Sequence, residues 1–593
     1  MLKNSVAILL VSLVVNYTYG QSVAESRDSN MYSYIGKEGV FIHYNAPLLF
    51  VGEYLYYSVY CLNKRTGTTS NISKIAYVEL IGEDKSVVFR QKIALEDGSG
   101  QGDFFIPVSV PSGNYKLVGY TQWMLNWGEK YFFQDDISIL NPYTNSQKPF
   151  LSDFETDSTA TNIESINFKG ESGRELVSTG NKNKLELSLV KDTLSKREKA
   201  TMLLRSRDGE SSLGSFSISV RKYDSLHNFE RTTSLSFKKT LTLAHAGLSS
   251  TNMVLPEMRG NLFSGTIYTD NPILKLNNQK VLFSLPGEEY LLKVLNTNEK
   301  GNFSFSLNKE YTSDTALFQI LGNERENYTI ELNEEVRPDY SFFTFEKFKL
   351  NPKMKKMILE RSVHNQIENA YFSAKPDTIG TAKKEIPFYG KDVIVYNLDD
   401  YTRFSTFKET LVEIIGEIGI FKDKTGKSAL FLKSRNFTPN KIGYLPLVIV
   451  DGQILQDFEK LIQYDARKIK SISIKKDLYI IGGHIFQGII DVKTLESNYQ
   501  IVNAPYLKKV TMLKPLERKK YFKQVYVPEN EPGLKKIPDY RHQLLWMPKV
   551  KLDNIKESID FFASDVPGNY EISLEGFTFS GNPVSIKKIF LVE

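Results

Sequence analysis

The chain has 593 residues, of which 41% are hydrophobic and 12% aromatic, and 75 Lys and Arg against 69 Asp and Glu leave a net charge of +6. This is a globular mix, with 37 Gly and 22 Pro spread along the chain, which excludes wholesale disorder, collagen and coiled coil. A single Cys excludes an intrachain disulfide and a Cys-rich zinc site, and six scattered His leave little material for a histidine metal centre.

At roughly 100–200 residues per domain the length implies about three to five domains. Residues 1–20 read as a secretory signal: Lys3, an apolar run over 6–15 broken by Ser12, and Thr18-Tyr19-Gly20 as the cleavage site before Gln21. The run is about half of the roughly 20 residues that cross a bilayer, and no Cys follows it to carry a lipid, so export is expected. Cys61, in a strand-like run, is expected as a buried small hydrophobe.

Over 37–142 short aromatic and β-branched runs such as Val40-Phe41-Ile42-His43-Tyr44 and Tyr54-Leu55-Tyr56-Tyr57 alternate with turns such as Pro111-Ser112-Gly113, predicting an antiparallel sandwich. Residues 143–168, rich in Ser, Thr, Asn and Asp, read as a linker. A second β-sandwich is expected over 169–255, its clearest strand being Gly214-Ser215-Phe216-Ser217-Ile218-Ser219-Val220, and a further β module over 256–335.

A helical connector over 345–384 follows, with Asn351 as cap and Pro352 in the first turn. Residues 385–500 read as an α+β domain. Thr406 and Glu409 form a capping box ahead of the apolar face Phe407, Leu411, Ile414 and Ile415, and strands end at turns such as Asp451-Gly452. Residues 501–593 read as a basic linker and a terminal β module. The fold class is therefore mainly β: serial sandwiches with one α+β domain.

Several of these runs resemble known families. Gly52-Glu53 with its Tyr-rich strand, Gly102-Asp103-Phe104-Phe105 and Tyr120-Thr121-Gln122-Trp123-Met124 resemble the macroglobulin-like domain of envelope proteins in Bacteroidetes-type bacteria. The module with Gly265 and Gly301-Asn302-Phe303 resembles the carboxypeptidase regulatory-like fold. Leu445-Pro446-Leu447-Val448-Ile449-Val450-Asp451-Gly452, Ile469-Lys470-Ser471-Ile472 and Gly488-Ile489-Ile490-Asp491-Val492 resemble the plug domain of TonB-dependent receptors, without the barrel of such a receptor and with an altered motif at 479–488. Leu545-Trp546-Met547-Pro548 resembles the terminal module of the same multidomain proteins.

The chemistry expected of an enzyme is not found. Cys61 has no Gln following it that could form a thioester, and position 421, where a phosphate loop ending in Gly426-Lys427-Ser428 would open, is Phe. The six His are each isolated in sequence, and Asp135-Asp136 and Asp399-Asp400 read as turn and capping residues. No catalytic residue, cofactor or metal is expected. Over 508–541, ten basic residues stand against four acidic ones, interleaved with Tyr521, Phe522 and Tyr526. In an exported protein that pattern suits an acidic protein or anionic surface better than nucleic acid, or a solvated linker.

The resemblances imply a non-enzymatic protein, periplasmic and associated with the outer membrane, that docks on or occludes a barrel of a secretion or transport complex and meets the membrane only through that partner. Candidate interaction residues are Trp123, Trp127, Asp451, Gly452, Gly488, Lys508, Lys509, Arg518, Lys519, Lys520 and Lys523. The alternatives are a protease-binding macroglobulin-like protein without a thioester, and a carbohydrate- or peptide-binding protein using an aromatic sandwich face, for which Tyr54, Tyr56, Tyr60, Trp123 and Trp127 are the candidates.

Overall fold

The structure is a computed structural model. It describes residues 35–144, 185–207, 213–223, 230–243, 253–287, 290–308, 313–380, 387–422, 426–433, 444–500, 504–526, 536–552 and 554–593, with 147, 150, 175–176, 209 and 311. The signal segment, most of the 143–168 linker, His227 and His245 lie outside the described residues.

Strands Glu38–Tyr44, Tyr54–Asn63 and Ser99–Phe105 form one sheet of the first sandwich. Leu48–Phe50, Phe133–Leu140, Gly113–Tyr120, Ile75–Gly82 and Val87–Ala94, in that spatial order, form the other. All pairings are antiparallel except that of Leu48–Phe50 with Phe133–Leu140. Val40, Ile42, Tyr57, Val59, Leu80, Leu117 and Ile137 fill the core between the sheets. Every residue of Glu38–Tyr44 is buried, because this sheet is covered on its outer side as well. There Phe577 meets Phe41 and Tyr60 edge-on, each with ring centroids 5.7 Å apart, and Ser217 Oγ lies 2.7 Å from His43 Nδ1.

That cover is a second sandwich, and it corrects the expected domain boundaries. The strand Gly214–Lys222 does not belong to a self-contained unit at 169–255; it pairs antiparallel with Gly568–Thr578 on one side and Gln543–Leu552 on the other. Likewise Lys199–Ser206 lies between Leu185–Leu189 and Lys556–Phe562. The expected second and terminal modules are therefore halves of one sandwich, with Met202, Leu204, Phe216, Ile218, Ile572, Leu574 and Phe590 in a common core. Ser234–Leu243, expected within the β module, is a helix whose Phe237 and Leu241, four residues apart, pack on the first sandwich.

The third module pairs Asn302–Leu307, Asn261–Tyr268 and Thr329–Leu332 in one sheet and Leu291–Asn296, Lys280–Leu285 and Thr315–Ile320 in the other, around Phe283, Phe303, Phe305 and Phe318. The latter sheet gains a fourth strand, Leu507–Thr511, and Lys519–Lys520 pairs with Thr378–Ile379. The stretch expected as a basic linker is thus strand-paired to two other parts of the chain.

The sheet of the α+β domain has the order Ile394–Asn397, Ile469–Ile481, His484–Thr494, Leu447–Val450 and Gln453–Leu455. On one face it packs against the helices Phe407–Glu413 and Glu459–Ile462 and the hairpin Ile418–Lys422/Ser428–Leu432. Thr406 Oγ1 accepts from Glu409 N and the Glu409 carboxylate accepts from Thr406 N, the reciprocal cap expected from sequence. The other face, with Leu447, Ile449 and Ile489, packs on Leu282 of the third module. Helix Lys355–Ala370 starts behind Asn351 and Pro352 and lies against the first sandwich, where Asn365 and Asn369 donate to the Val51 and Gly52 carbonyls.

Candidate interaction surfaces

The structure disperses the residues singled out from sequence. Trp123 is buried, its Nε1 donating to the Gly36 carbonyl at 3.0 Å, and its ring meets Trp127 edge-on at 5.0 Å. Trp127 in turn carries the Lys37 ammonium 5.3 Å from its ring centroid. Asp451 is buried in its turn and accepts from Thr494 N, Thr494 Oγ1 and Tyr499 N. Gly452 has φ 80°, and a Cβ there would lie 2.2 Å from Tyr290 Cβ. Gly488 has φ 82°, and a Cβ there would lie 2.3 Å from the Lys475 carbonyl oxygen, so both positions need glycine for turn and bulge geometry.

The basic residues are spread as well. Lys508 and Lys509 stand exposed on the edge strand Leu507–Thr511. Arg518 pairs with Glu96 at 2.9 Å and Lys519 with Asp103 at 3.0 Å, both acids of the first sandwich. Lys520 pairs through its backbone with Thr378, and Lys523 Nζ reaches Met547 Sδ at 3.5 Å.

Two other surfaces stand out. One is the far end of the long hairpin of the α+β domain, Ile469–Ile481 with His484–Thr494. Past the bulge at Gly488 it runs beyond the helices and the short hairpin that cover this face of the sheet. Ile480 faces Ile485 across the strands, with Leu478 two residues along on the same face. These three are 66%, 38% and 60% exposed. The opposite face, with Tyr479, Ile481 and Phe486, packs on Leu292 and Val294 of the third module, so the hairpin end is anchored on one side and bare on the other.

The second is a cleft with about 170 Å³ of free volume where the first sandwich, helix Lys355–Ala370, segment 371–377, Tyr521 and Phe522, and strand residues 543–546 converge. At its base Glu53 accepts from Arg361 Nε at 2.8 Å and Nη2 at 2.7 Å, and from Arg221 Nη2 at 3.1 Å. Burial raises the Glu53 carboxyl, but the two guanidiniums overcome it and hold the group far below the ordinary carboxylate range.

Beside it, His364 Nδ1 and His542 Nε2 are 3.1 Å apart, and His364 stacks on Tyr540 at 4.6 Å. Two histidines expected as isolated are thus a contacting pair, brought together from 178 positions apart. Burial, reinforced by Arg361 and opposed by Glu53, pushes His542 well below its ordinary value; burial lowers His364 too.

Along the cleft wall run Tyr54 and Tyr56, half-buried and two residues apart on one face of a strand. This period-two placement was the sequence signal for the site; Tyr60, weighed with them, is buried. Nothing local pointed to Glu53 with its two arginines or to the histidine pair.

Among the described residues, no three His, Cys, Asp or Glu gather to hold a metal, and no helix is long and apolar enough to cross a membrane, which says nothing of a β-barrel. No family model and no curated protein matches the sequence. Among solved structures, Salmonella alpha-2-macroglobulin reacted with methylamine aligns over 94% of this chain and 40% of its own, at 9% identity and a TM-score of 0.23. Escherichia coli alpha-2-macroglobulin activated by porcine elastase aligns over 94% and 44%, at 8% identity and 0.23. Dimeric latent PorU from Porphyromonas gingivalis aligns over 50% and 33%, at 11% identity and 0.14. The chain spans less than half the length of these macroglobulins. Likeness at this level bears on neither activity nor partner.

Proposed function

We propose that this chain is a non-catalytic, exported envelope protein that docks on an outer-membrane barrel through the bare end of its plug-like hairpin, with the β modules as the rigid body that presents it. The observation that carries this reading is the exposed cluster Leu478, Ile480 and Ile485 on a sheet whose opposite face is already packed. A contiguous apolar patch on an otherwise covered sheet marks a contact surface, and burying each of these side chains in full contributes about 1.5–3 kcal/mol. The resemblance of 445–494 to receptor plug domains supports a barrel as the partner. The described strands after residue 494 are used by the third module, the Thr378–Ile379 pairing and the second sandwich rather than wrapped round the plug-like sheet. The signal-like residues 1–20 support export.

The test is recovery of the tagged chain from gently solubilised envelopes of its source organism, beside the Leu478→Ser/Ile480→Ser/Ile485→Ser variant. The expected result is a barrel protein recovered in stoichiometric amount with the unaltered chain and lost with the variant. Equal recovery with both, or no barrel, contradicts the proposal; a soluble protease in its place favours the macroglobulin-like alternative.

A further inference from the structure

We infer that the cleft at the junction of the two sandwiches is a binding site for one arginine side chain carried by a peptide or protein. The site is separate from the plug-like hairpin and does not depend on the docking reading.

Its wall is a run of four aromatic rings drawn from three parts of the chain. Phe372 lies near-parallel to Tyr54, with centroids 6.0 Å apart and planes 15° apart; Tyr54 to Tyr56 at 5.5 Å and 13°; and Tyr56 to Trp546 at 6.0 Å and 21°. Tyr521 meets Tyr56 edge-on at 5.0 Å. Such a wall accommodates the apolar stem of a long side chain and the planar face of a guanidinium.

The charges select the sign of the ligand. The cations lining the cleft are all engaged: Arg361 and Arg221 with Glu53, Lys375 with Glu368 at 2.6 Å, and Arg541 with Asp539 at 2.6 Å. The amide donors are engaged too, Asn365 and Asn369 on backbone carbonyls and Gln543 on Ser219 Oγ and the Leu545 carbonyl. Among the charged lining residues, Asp377 alone has no ion-pair partner among the described residues; its Oδ1 accepts one bond, from Phe522 N at 2.9 Å.

Asp377 lines the cleft together with Tyr54 and Tyr56, whose hydroxyls are pushed up by burial and then by the Asp377 and Asp103 charges. Asp103 is already answered by Lys519 and by the Tyr521 hydroxyl. Neither the Tyr54 nor the Tyr56 hydroxyl has a hydrogen-bond partner among the described residues. Burial raises the Asp377 carboxyl above its ordinary value, and neither the Phe522 N–H nor the charge of Lys519, whose ammonium is paired with Asp103, brings it back down.

The cleft therefore offers a carboxylate without an ion-pair partner and two phenol groups against an aromatic wall, while its cationic and amide donors are spent and the one further donor, the Trp546 indole N–H, is buried. A guanidinium brings five N–H donors in a planar fork and suits that set. A cavity of about 150 Å³ admits a benzene-sized molecule, so the volume here is that of one side chain rather than a folded partner.

Calorimetric titration of the full chain with a blocked Gly-Gly-Arg-Gly-Gly peptide tests this, beside the same peptide carrying citrulline, the neutral isostere, or lysine. The arginine peptide is expected to bind about tenfold or more tighter than the citrulline peptide, the scale of one charge-assisted hydrogen bond. Asp377→Asn should erase that difference while leaving citrulline binding and the thermal transition unchanged; Tyr54→Ala should weaken all three peptides. Equal binding of arginine and citrulline peptides, no heat from any peptide, or an unaltered preference in Asp377→Asn overturns the inference. A lysine peptide as tight as the arginine one overturns the guanidinium assignment.

Discussion

The first sandwich is complete within residues 38–140, whereas the second is closed by strands from two distant stretches, 185–222 and 543–592. In the first, Ile75–Gly82 with Val87–Ala94 and Gly113–Tyr120 with Phe133–Leu140 pair strands consecutive in sequence, and the other pairings also close within residues 38–140. In the second, Ser217 and Glu575 are paired across 358 positions. Loop-closure entropy grows only with the logarithm of the length, so a long intervening chain adds little further cost once the core forms. The third module and the α+β domain are consequently an insertion within one sandwich, held at both ends, and the bare hairpin projects from a body closed by the strands of 543–592.

The largest effect that could break this comparison is removal of 539–593. It strips Gly214–Lys222 of both neighbours and exposes Phe216, Ile218, Met202 and Leu204, so 185–222 is expected to lose its protection in limited proteolysis while 38–140 keeps its own. A truncated chain still protected over 185–222 would show that the two halves fold separately. Next in size, Phe216→Ala in the shared core is expected to cost about 3–5 kcal/mol in urea unfolding. Hydrogen exchange should then quicken together over 199–222 and 543–592; quickening confined to one stretch would divide the sandwich.

The junction sharpens the comparison through pH. His43, between the sandwiches, and His542, in the cleft, are both held well below the ordinary 6.5 by burial. A histidine kept neutral in the fold binds fewer protons than in the unfolded chain, so stability is expected to fall as pH drops from 6.5 toward the folded values, by at most about 1.4 kcal/mol per pH unit for each group. The thermal midpoint followed from pH 7 to 5 reads this, and His542→Gln should make the slope shallower. The smallest effect is Arg518→Ala at the exposed pair with Glu96, expected below about 1 kcal/mol. A larger loss would give this exposed pair a weight beyond the strand pairings that already hold Leu507–Thr511 and Lys519–Lys520.

Local chemistry was legible in the sequence. The Thr406–Glu409 cap, the Asn351-Pro352 helix start and the strands of the first sandwich all depend on residues a few positions apart. Neighbours across the sheets were not legible, because strand alternation defines two faces without saying what covers either. Gly214–Lys222 alternates Ser with apolar residues like a half-exposed strand, yet Ser217 and Ser219 are buried, Ser217 against His43 and Tyr60 of the first sandwich. Ser234–Leu243 lies within the stretch expected as a β module but is a helix, with Phe237 and Leu241 packed on the first sandwich. Of the cleft, Tyr54 and Tyr56 could be placed on one face from their spacing; Phe372 joins them through the helix Lys355–Ala370 on the first sandwich, Asp377 and Tyr521 through the pairing of Thr378–Ile379 with Lys519–Lys520, and Trp546 through the strand Gln543–Leu552.

The docking claim is tested most directly by a photo-crosslinking amino acid at position 480, irradiated in intact envelopes of the source organism, with position 412 on the helix Phe407–Glu413 as an equally exposed control. The account predicts a discrete crosslink to an outer-membrane barrel from position 480 and none from position 412. No barrel crosslink from 480, or the same products from both positions, would contradict it.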